Sequence, residues 1–216
     1  MSSLTLFIDL CSHRKLVACV DEKKTLALLD IADHTHEVDL LPAIERMLQT
    51  AGLSLQKLAR IAAITGPGGF MSQRVAMSLA NTLSWSLKIP IAGIHLSDLW
   101  FARVPALLTP IPNPKSFLWL HSTQKKSLFI RGFGALQKKW PEATLISIED
   151  LQRSLSPIGG EGQGVGVIGE LIPEHAEDLP VKEVESLQAI EEVLPALCGK
   201  SVYGKPPMLP WYGRGI

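Results

Sequence analysis

A chain of 216 residues, 46% hydrophobic and 19% charged, can bury a core without disulfide or metal staples and suits one large domain or two small lobes. Its 21 Lys and Arg balance 21 Asp and Glu; that neutrality argues against a protein that coats nucleic acid, and the composition excludes disorder, collagen and low complexity. The cysteines Cys11, Cys19 and Cys198 are widely spaced with no CxxC, the pattern of buried thiols in a reducing compartment rather than of a disulfide framework or a zinc ribbon.

The apolar run Leu4-Thr5-Leu6-Phe7-Ile8 follows no basic segment and is interrupted by Asp9, so it does not read as a signal peptide. No stretch reaches the ~18 apolar residues that span a bilayer. The expectation is a soluble cytoplasmic protein with no membrane contact.

Residues 4–10, 15–20 and 25–31 read as three short strands joined by turns, an antiparallel meander. A polar loop, 32–38, follows. Asp39 is placed to cap a helix with Pro42 in its first turn. Leu40, Leu41, Ile44, Met47, Leu48 and Ala51 keep i, i+3, i+4 spacing until Gly52. Residues 59–65 read as a buried strand running into the tight turn Gly66-Pro67-Gly68-Gly69. A helix from Phe70 to Leu87 is apolar around most of its circumference, with Val75, Ala76, Met77, Leu79, Ala80, Leu83 and Trp85, and should be buried on more than one side. A strand over 89–94 and a helix capped by Ser97 complete an α/β pattern.

Four prolines (105, 110, 112 and 114) mark a lobe boundary. Beyond it, 116–120 and 127–133 read as a hairpin, 143–148 as a strand, 149–155 as a short helix and 165–169 as a strand after a glycine-rich loop. Residues 187–197 read as a helix that Pro195 bends or ends, and the last sixteen residues as an extended tail. The organisation is a first lobe over 1–104, a second over 105–200 and a tail over 201–216, with no internal repeat in the sequence.

Charge is segregated along the chain. Residues 99–141 hold seven Lys or Arg, no acid and seven of the thirteen aromatics, whereas 169–192 hold eight acids and one Lys. Such a block either touches RNA or lies beside the acidic segment and neutralises it; the second reading is the more economical.

Chemistry-bearing candidates are few. Asp9 ends the first strand, where a carboxylate facing a cleft can hold a nucleotide's magnesium; Leu10, Cys11 and Ser12 after it are a poor phosphate cradle, so a structural role is the alternative. Gly66, Pro67, Gly68 and Gly69 precede a helix, a junction that can bind an anion. Arg74, one turn in, could pair with carboxylate or phosphate. No Walker lysine follows. Gly164-Val-Gly-Val-Ile-Gly169 has the letters of a dinucleotide fingerprint, but its glycines lie within a strand-like run. Asp33, His34, His36 and Glu37 lack metal-ligand spacing and read as a solvated loop. No G-x-S-x-G elbow or activated cysteine occurs. No metal or cofactor is expected.

The run Ile64-Thr-Gly-Pro-Gly-Gly-Phe-Met-Ser-Gln-Arg74, the small-residue helix after it and Ile89-Pro-Ile-Ala-Gly-Ile94 resemble the TsaB (YeaZ) family. His36 with Leu41-Pro42-Ala43-Ile44, the opening Phe7-Ile8-Asp9 and Ser201-Val202-Tyr203 look like further elements of the same family. The resemblance covers the first ~100 residues well and the rest loosely. It implies an actin-like (ASKHA) fold of two ribonuclease-H-like lobes. It also implies a non-catalytic partner of the TsaD-type subunit that forms N6-threonylcarbamoyladenosine at position 37 of tRNAs reading ANN codons. A TsaE-type P-loop ATPase joins such pairs, tRNA is met indirectly, and a homodimer is a further expectation. The M22 glycoprotease label once attached to related subunits is not carried over as a mechanism.

In that family the first two helices pack against their equivalents in the partner. Here the interface would draw on Leu40, Leu41, Ile44, Met47 and Leu48 of the first helix. From the second it would draw on Ala76, Ser78, Ala80, Asn81, Leu83 and Ser84, the small ones permitting close approach. Asp9, Gly66, Pro67, Gly68, Gly69 and Arg74 would be a vestigial nucleotide site. The family's S-F-T-G is here Gly69-Phe70-Met71-Ser72, its D-A-R is His121-Ser122-Thr123, and its Thr after the Asp is Leu10; these departures weaken the case for nucleotide contact. The alternative is an actin-fold ATPase or small-molecule kinase using Asp9 and the Gly66–Gly69 turn.

Overall fold

A computed structural model describes residues 3–31, 39–105, 116–155, 166–179, 182–183 and 186–213. The polar loop with Asp33, His34, His36 and Glu37, the proline-rich segment 106–115 and the glycine-rich loop 156–165 lie outside them. Two units are present: residues 1–99 with 189–212, and residues 100–188 with 213–216. The last helix and the tail therefore return to the first unit, whereas the sequence reading put them in the second lobe and beyond.

In the first unit β1 (Thr5–Asp9), β2 (Leu16–Val20) and β3 (Thr25–Asp30) form the antiparallel meander. β4 (Arg60–Gly66) and β5 (Ile91–His95) add parallel to β1, giving the order β3-β2-β1-β4-β5. β1 and β2 are buried along their whole length, as both faces of the sheet are covered. Strand alternation sends Leu6 and Ile8 to one face, where they meet Ile44 and Leu48 of α1 (Leu40–Thr50) and Ala76 and Ala80 of α2 (Phe70–Leu87). Against β1 and β3 packs α6 (Ile190–Lys200).

Pro195 sits inside α6 and does not end it. Its missing N–H leaves the carbonyl of Glu191 without its helical donor. The hydroxyl of Thr25, on β3, donates to that carbonyl at 2.7 Å. Asp39 precedes α1 without a side-chain capping bond. Ser97 is not a cap either: α3 (Leu96–Ala102) already contains it, and its amide donates to Nδ1 of His95 at 3.1 Å.

The second unit repeats the plan. β6 (Phe117–Gln124), β7 (Ser127–Gly132) and β8 (Thr144–Ser147) are an antiparallel meander; β9 (Gly166–Glu170) and β10 (Lys182–Glu183) add parallel to β6, in the order β8-β7-β6-β9-β10. α4 (Ile148–Leu155) lays Leu151 and Leu155 on Leu118, Leu120, Leu128 and Ile130, and α5 (Pro173–Asp178) follows β9. The duplication is topological and leaves no repeat in the sequence. With this strand order twice, the fold is the actin-like ASKHA type of two ribonuclease-H-like units.

Candidate functional site

Asp9 ends β1 and is fully buried. Oδ1 accepts the amides of Cys11 at 2.9 Å and Ser12 at 3.1 Å, and Oδ2 accepts the Ser12 hydroxyl. The carboxylate thus closes its own turn, as Asp does at the start of a bend. Cys11 packs beneath the glycine turn, and its thiol donates to the Ile64 carbonyl at 3.5 Å. Burial, reinforced by the Asp9 charge, pushes that thiol far above its ordinary range, so it is not a nucleophile.

The glycine turn is enclosed from two sides. A Cβ on Gly68 would lie 2.8 Å from Cys11 Cα and 2.9 Å from its carbonyl oxygen. Gly66 has φ +135, and a Cβ there would meet Gln73 Nε2 at 2.2 Å and the Trp211 carbonyl oxygen at 2.6 Å. Gln73, buried in α2, donates to that carbonyl at 2.9 Å, and the Trp211 amide donates to Thr65 at 2.8 Å. His95 sets its ring edge-on to Trp211, with centroids 4.6 Å apart. The tail is therefore a strap. Gly204 bridges to Ile91 of β5, Asn81 exchanges two hydrogen bonds with the Met208 backbone at 2.8 and 2.7 Å, and Tyr212 ends beside Phe70.

This corner does not fit a magnesium-bound nucleotide. Both Asp9 oxygens already accept donors of their own turn, Gly68 is filled against Cys11, and Arg74 lies over the Phe70 ring at 5.3 Å. A phosphate cradle needs open backbone amides and an approach path; here chain atoms occupy both sides of the turn.

The residues expected at a partner interface divide in two. Leu40, Ile44, Met47 and Leu48 of α1, and Ala76, Ala80 and Leu83 of α2, point into the unit's own core. Ser84 is buried with its hydroxyl on the Ile89 carbonyl at 2.6 Å, and Asn81 holds the strap. These nine side chains are spent within the unit, because the sheet and the strap cover that side of both helices. Leu41 and Ser78 are exposed, and between them a groove of about 420 Å³ is lined by Leu40, Leu41, Met71, Arg74, Val75, Ser78 and Leu79. Met71, 57% exposed, was not singled out from sequence.

In the second unit most of the described aromatics of the basic block face inward. Of its aromatics, Trp100, Phe117, Trp119, Phe129, Phe133 and Trp140 are buried, and cations cover rings from outside: Arg103 on Trp100, Arg131 on Phe133 and Lys139 on Trp140. Lys125 pairs with Glu174 of the acidic segment at 3.2 Å. The strand β9 contains Gly166 and Gly169 of the GxGxxG letters, in a ladder with β6, not in a phosphate turn. His121 and Ser122, in place of the family's D-A-R, are both buried: His121 Nδ1 lies 3.5 Å from Glu170, and Ser122 bonds His175 Nδ1 at 2.7 Å. His175 Nε2 meets the Lys125 carbonyl at 2.8 Å. A carbonyl only accepts, so Nε2 carries the proton and Nδ1 accepts from Ser122.

Among the described residues no helix is long and apolar enough to cross a membrane. The family model for tRNA N6-adenosine threonylcarbamoyltransferase, TsaD, matches residues 30–135. The chain is 36% identical over 94 residues to the tRNA threonylcarbamoyladenosine biosynthesis protein TsaB of Buchnera aphidicola subsp. Schizaphis graminum, covering 44% of this chain and 45% of that protein. It is 31% identical over 110 residues to the protein of the same name from Bacillus subtilis, covering 49% and 48%. The chain spans about half the length of the curated relatives it matches. A solved structure described as an uncharacterized protein with similarity to peptidase YEAZ from Pseudomonas aeruginosa superposes with a TM-score of 0.68 at 17% identity, over 98% of this chain and all of that one; at that identity the likeness speaks to the fold. The chain is thus similar to proteins named TsaB over somewhat less than half of its length, and shares the fold of the YEAZ-like structure over nearly all of it.

Proposed function

We propose that this chain is a non-catalytic partner subunit of a TsaD-type threonylcarbamoyltransferase, required for N6-threonylcarbamoyladenosine formation at position 37 of tRNAs reading ANN codons. The observation that carries the reading is the closed corner of the first unit. Where an actin-fold ATPase needs an acid open to a cleft, Asp9 is fully buried in its own turn, with Cys11 packed on Gly68. What the unit offers instead is a surface. The α1/α2 groove, with Leu41, Met71, Val75 and Leu79 beside Arg74 and Ser78, is the shape and chemistry that takes a partner's helix pair.

Function follows from binding energy: docking on this groove stabilises the catalytic subunit's active arrangement, as any ligand with higher affinity for one state does. A TsaE-type ATPase joins the pair, and tRNA is met through the catalytic subunit. A homodimer would use the same groove in the partner's absence.

The test is to mix this chain with the TsaD-type subunit from the same organism. The reading expects a stable pair on size exclusion and tRNA modification that needs both chains. No pair, no effect on modification, and micromolar ATP affinity of the lone chain that Asp9→Ala abolishes would replace it with an actin-fold ATPase.

A further inference from the structure

We propose that a second cavity, at the C-terminal end of α2, is a nucleotide site that takes a planar base against Trp85 and a phosphate between Lys88 and Lys205. It has a volume of about 840 Å³ and is walled by residues 84–86, 88–90 and 203–206, all in the first unit. That is the size range of small-molecule pockets.

Two backbone features build it. α2 ends at Leu87, and Lys88 takes the left-handed conformation, φ 56, with its amide returned to Trp85 at 3.3 Å. The opposite wall is the strap, held where Gly204 and Ile91 exchange amide-carbonyl bonds of 3.0 and 2.8 Å. Neither wall depends on a mobile side chain.

The lining then decides the ligand. Trp85 is 76% exposed, an outlying value for an indole, and no ring of the described residues stacks on it. Lys88 and Lys205 are exposed and pair with no acid among the described residues, and the lining contains no Asp or Glu. Of the other polar side chains, Ser84 has its hydroxyl on Ile89 and Tyr203 its hydroxyl on the Cys198 carbonyl at 2.9 Å with Arg60 over its ring, while Ser86 is exposed on the same lining. What remains on the one lining is an exposed indole, two lysines and the Ser86 hydroxyl. An apolar ligand would leave both cations unused, and a bare anion would leave the indole unused. A base carrying a phosphate uses both, by stacking and by point-charge pairing. A free mononucleotide and an RNA strand share that chemistry.

The inference does not rest on the partner-subunit reading, and its test uses the lone full chain. Adenosine 5′-monophosphate and single-stranded hexa-adenylate are titrated separately, followed by tryptophan fluorescence and calorimetry. The expected result is quenching that Trp85→Ala abolishes, with affinity falling roughly tenfold. Lys88→Gln with Lys205→Gln should weaken binding and flatten its salt dependence. All three side chains are exposed, so the variants should melt as wild type does. Tighter binding of the hexamer assigns the site to an RNA strand, and equal binding assigns it to a free nucleotide. The proposal is overturned if neither binds at millimolar concentration, or if adenosine binds as well as its monophosphate. It is likewise overturned if the variants bind unchanged, or if a blocked Asp-Phe dipeptide binds as tightly, which would make the cavity a protein-docking site.

Discussion

Gly68→Ala is the sharpest probe of the closed corner. The new Cβ would lie 2.8 Å from Cys11 Cα, 2.8 Å from Cys11 Cβ and 2.9 Å from the Cys11 carbonyl oxygen. Ordinary carbon contacts are about 3.5–4.0 Å, so one backbone must retreat by more than half an ångström. Two of the three atoms are main chain, and the Cys11 amide is tied to Asp9 at 2.9 Å, so retreat also loosens the Asp9 turn. Overpacking of this kind costs about 1–3 kcal/mol, and the upper half of that range applies because no flexible side chain can absorb the shift. For a protein of this size about 2–3 kcal/mol lowers the melting temperature by roughly 5–10 °C. Gly69→Ala is the control: its nearest neighbour, Ser72 Oγ, is 3.5 Å away. Its effect should stay within about 0.5 kcal/mol, with the loss of chain entropy in the unfolded state tending to stabilise. Thermal melts by circular dichroism of the two variants decide the matter. Equal melting temperatures, or a larger loss for Gly69→Ala, would mean that Cys11 and the glycine turn are not in contact and the corner is open.

Asn81→Leu removes both hydrogen bonds to the Met208 backbone and should cost about 1–3 kcal/mol, read as a lower denaturation midpoint together with new proteolytic sensitivity of residues 203–212. Ala80→Arg places a charge at a position with no exposure and should unfold the first unit, at a cost of about 3–5 kcal/mol. Ser78→Arg, on the exposed face, should leave the melt unchanged while weakening the partner. Burial pushes the Tyr203 hydroxyl up to about 12, helped by Cys198 and opposed by Arg60. The folded state therefore holds this proton where the unfolded chain has released it. Stability contributed by the group is intact below about pH 10, the ordinary tyrosine value, and declines from there toward pH 12. Ultraviolet titration should show a tyrosine step displaced toward pH 12 that Tyr203→Phe removes; no step above the ordinary tyrosine range would contradict it.

The first unit was legible because its signals are local. Alternation marks β1, β2 and β3, and 3.6-residue spacing stopped by Gly52 marks α1. The glycine turn sets the start of α2, which runs from Phe70 to Leu87 as the spacing predicts. What spacing cannot give is which side of a helix is free when both sides are apolar. Ala76 and Ala80 looked like a close-approach seam, yet they lie against β1 and β4, while the free side carries Met71, Arg74 and Ser78. The strap was read as an extended tail because its bonds join Gln73 and Asn81 to backbone more than a hundred residues away, with no local pattern to announce them. That Pro195 does not end its helix was hidden for the same reason: the Thr25 hydroxyl that satisfies Glu191 is 166 residues distant. The duplicated topology escaped because strand order is set by pairing, and two sheets with the same order need no common residues.

A reconstituted threonylcarbamoylation assay with the TsaD-type subunit of the same organism tests the partner-subunit role directly. Its three arms are no second chain, this chain, and the Leu41→Glu, Ser78→Arg double variant. Modification is expected only with the unaltered chain, and the double variant should melt normally but neither pair nor support the reaction. Full modification without this chain, or with the double variant, would contradict that role.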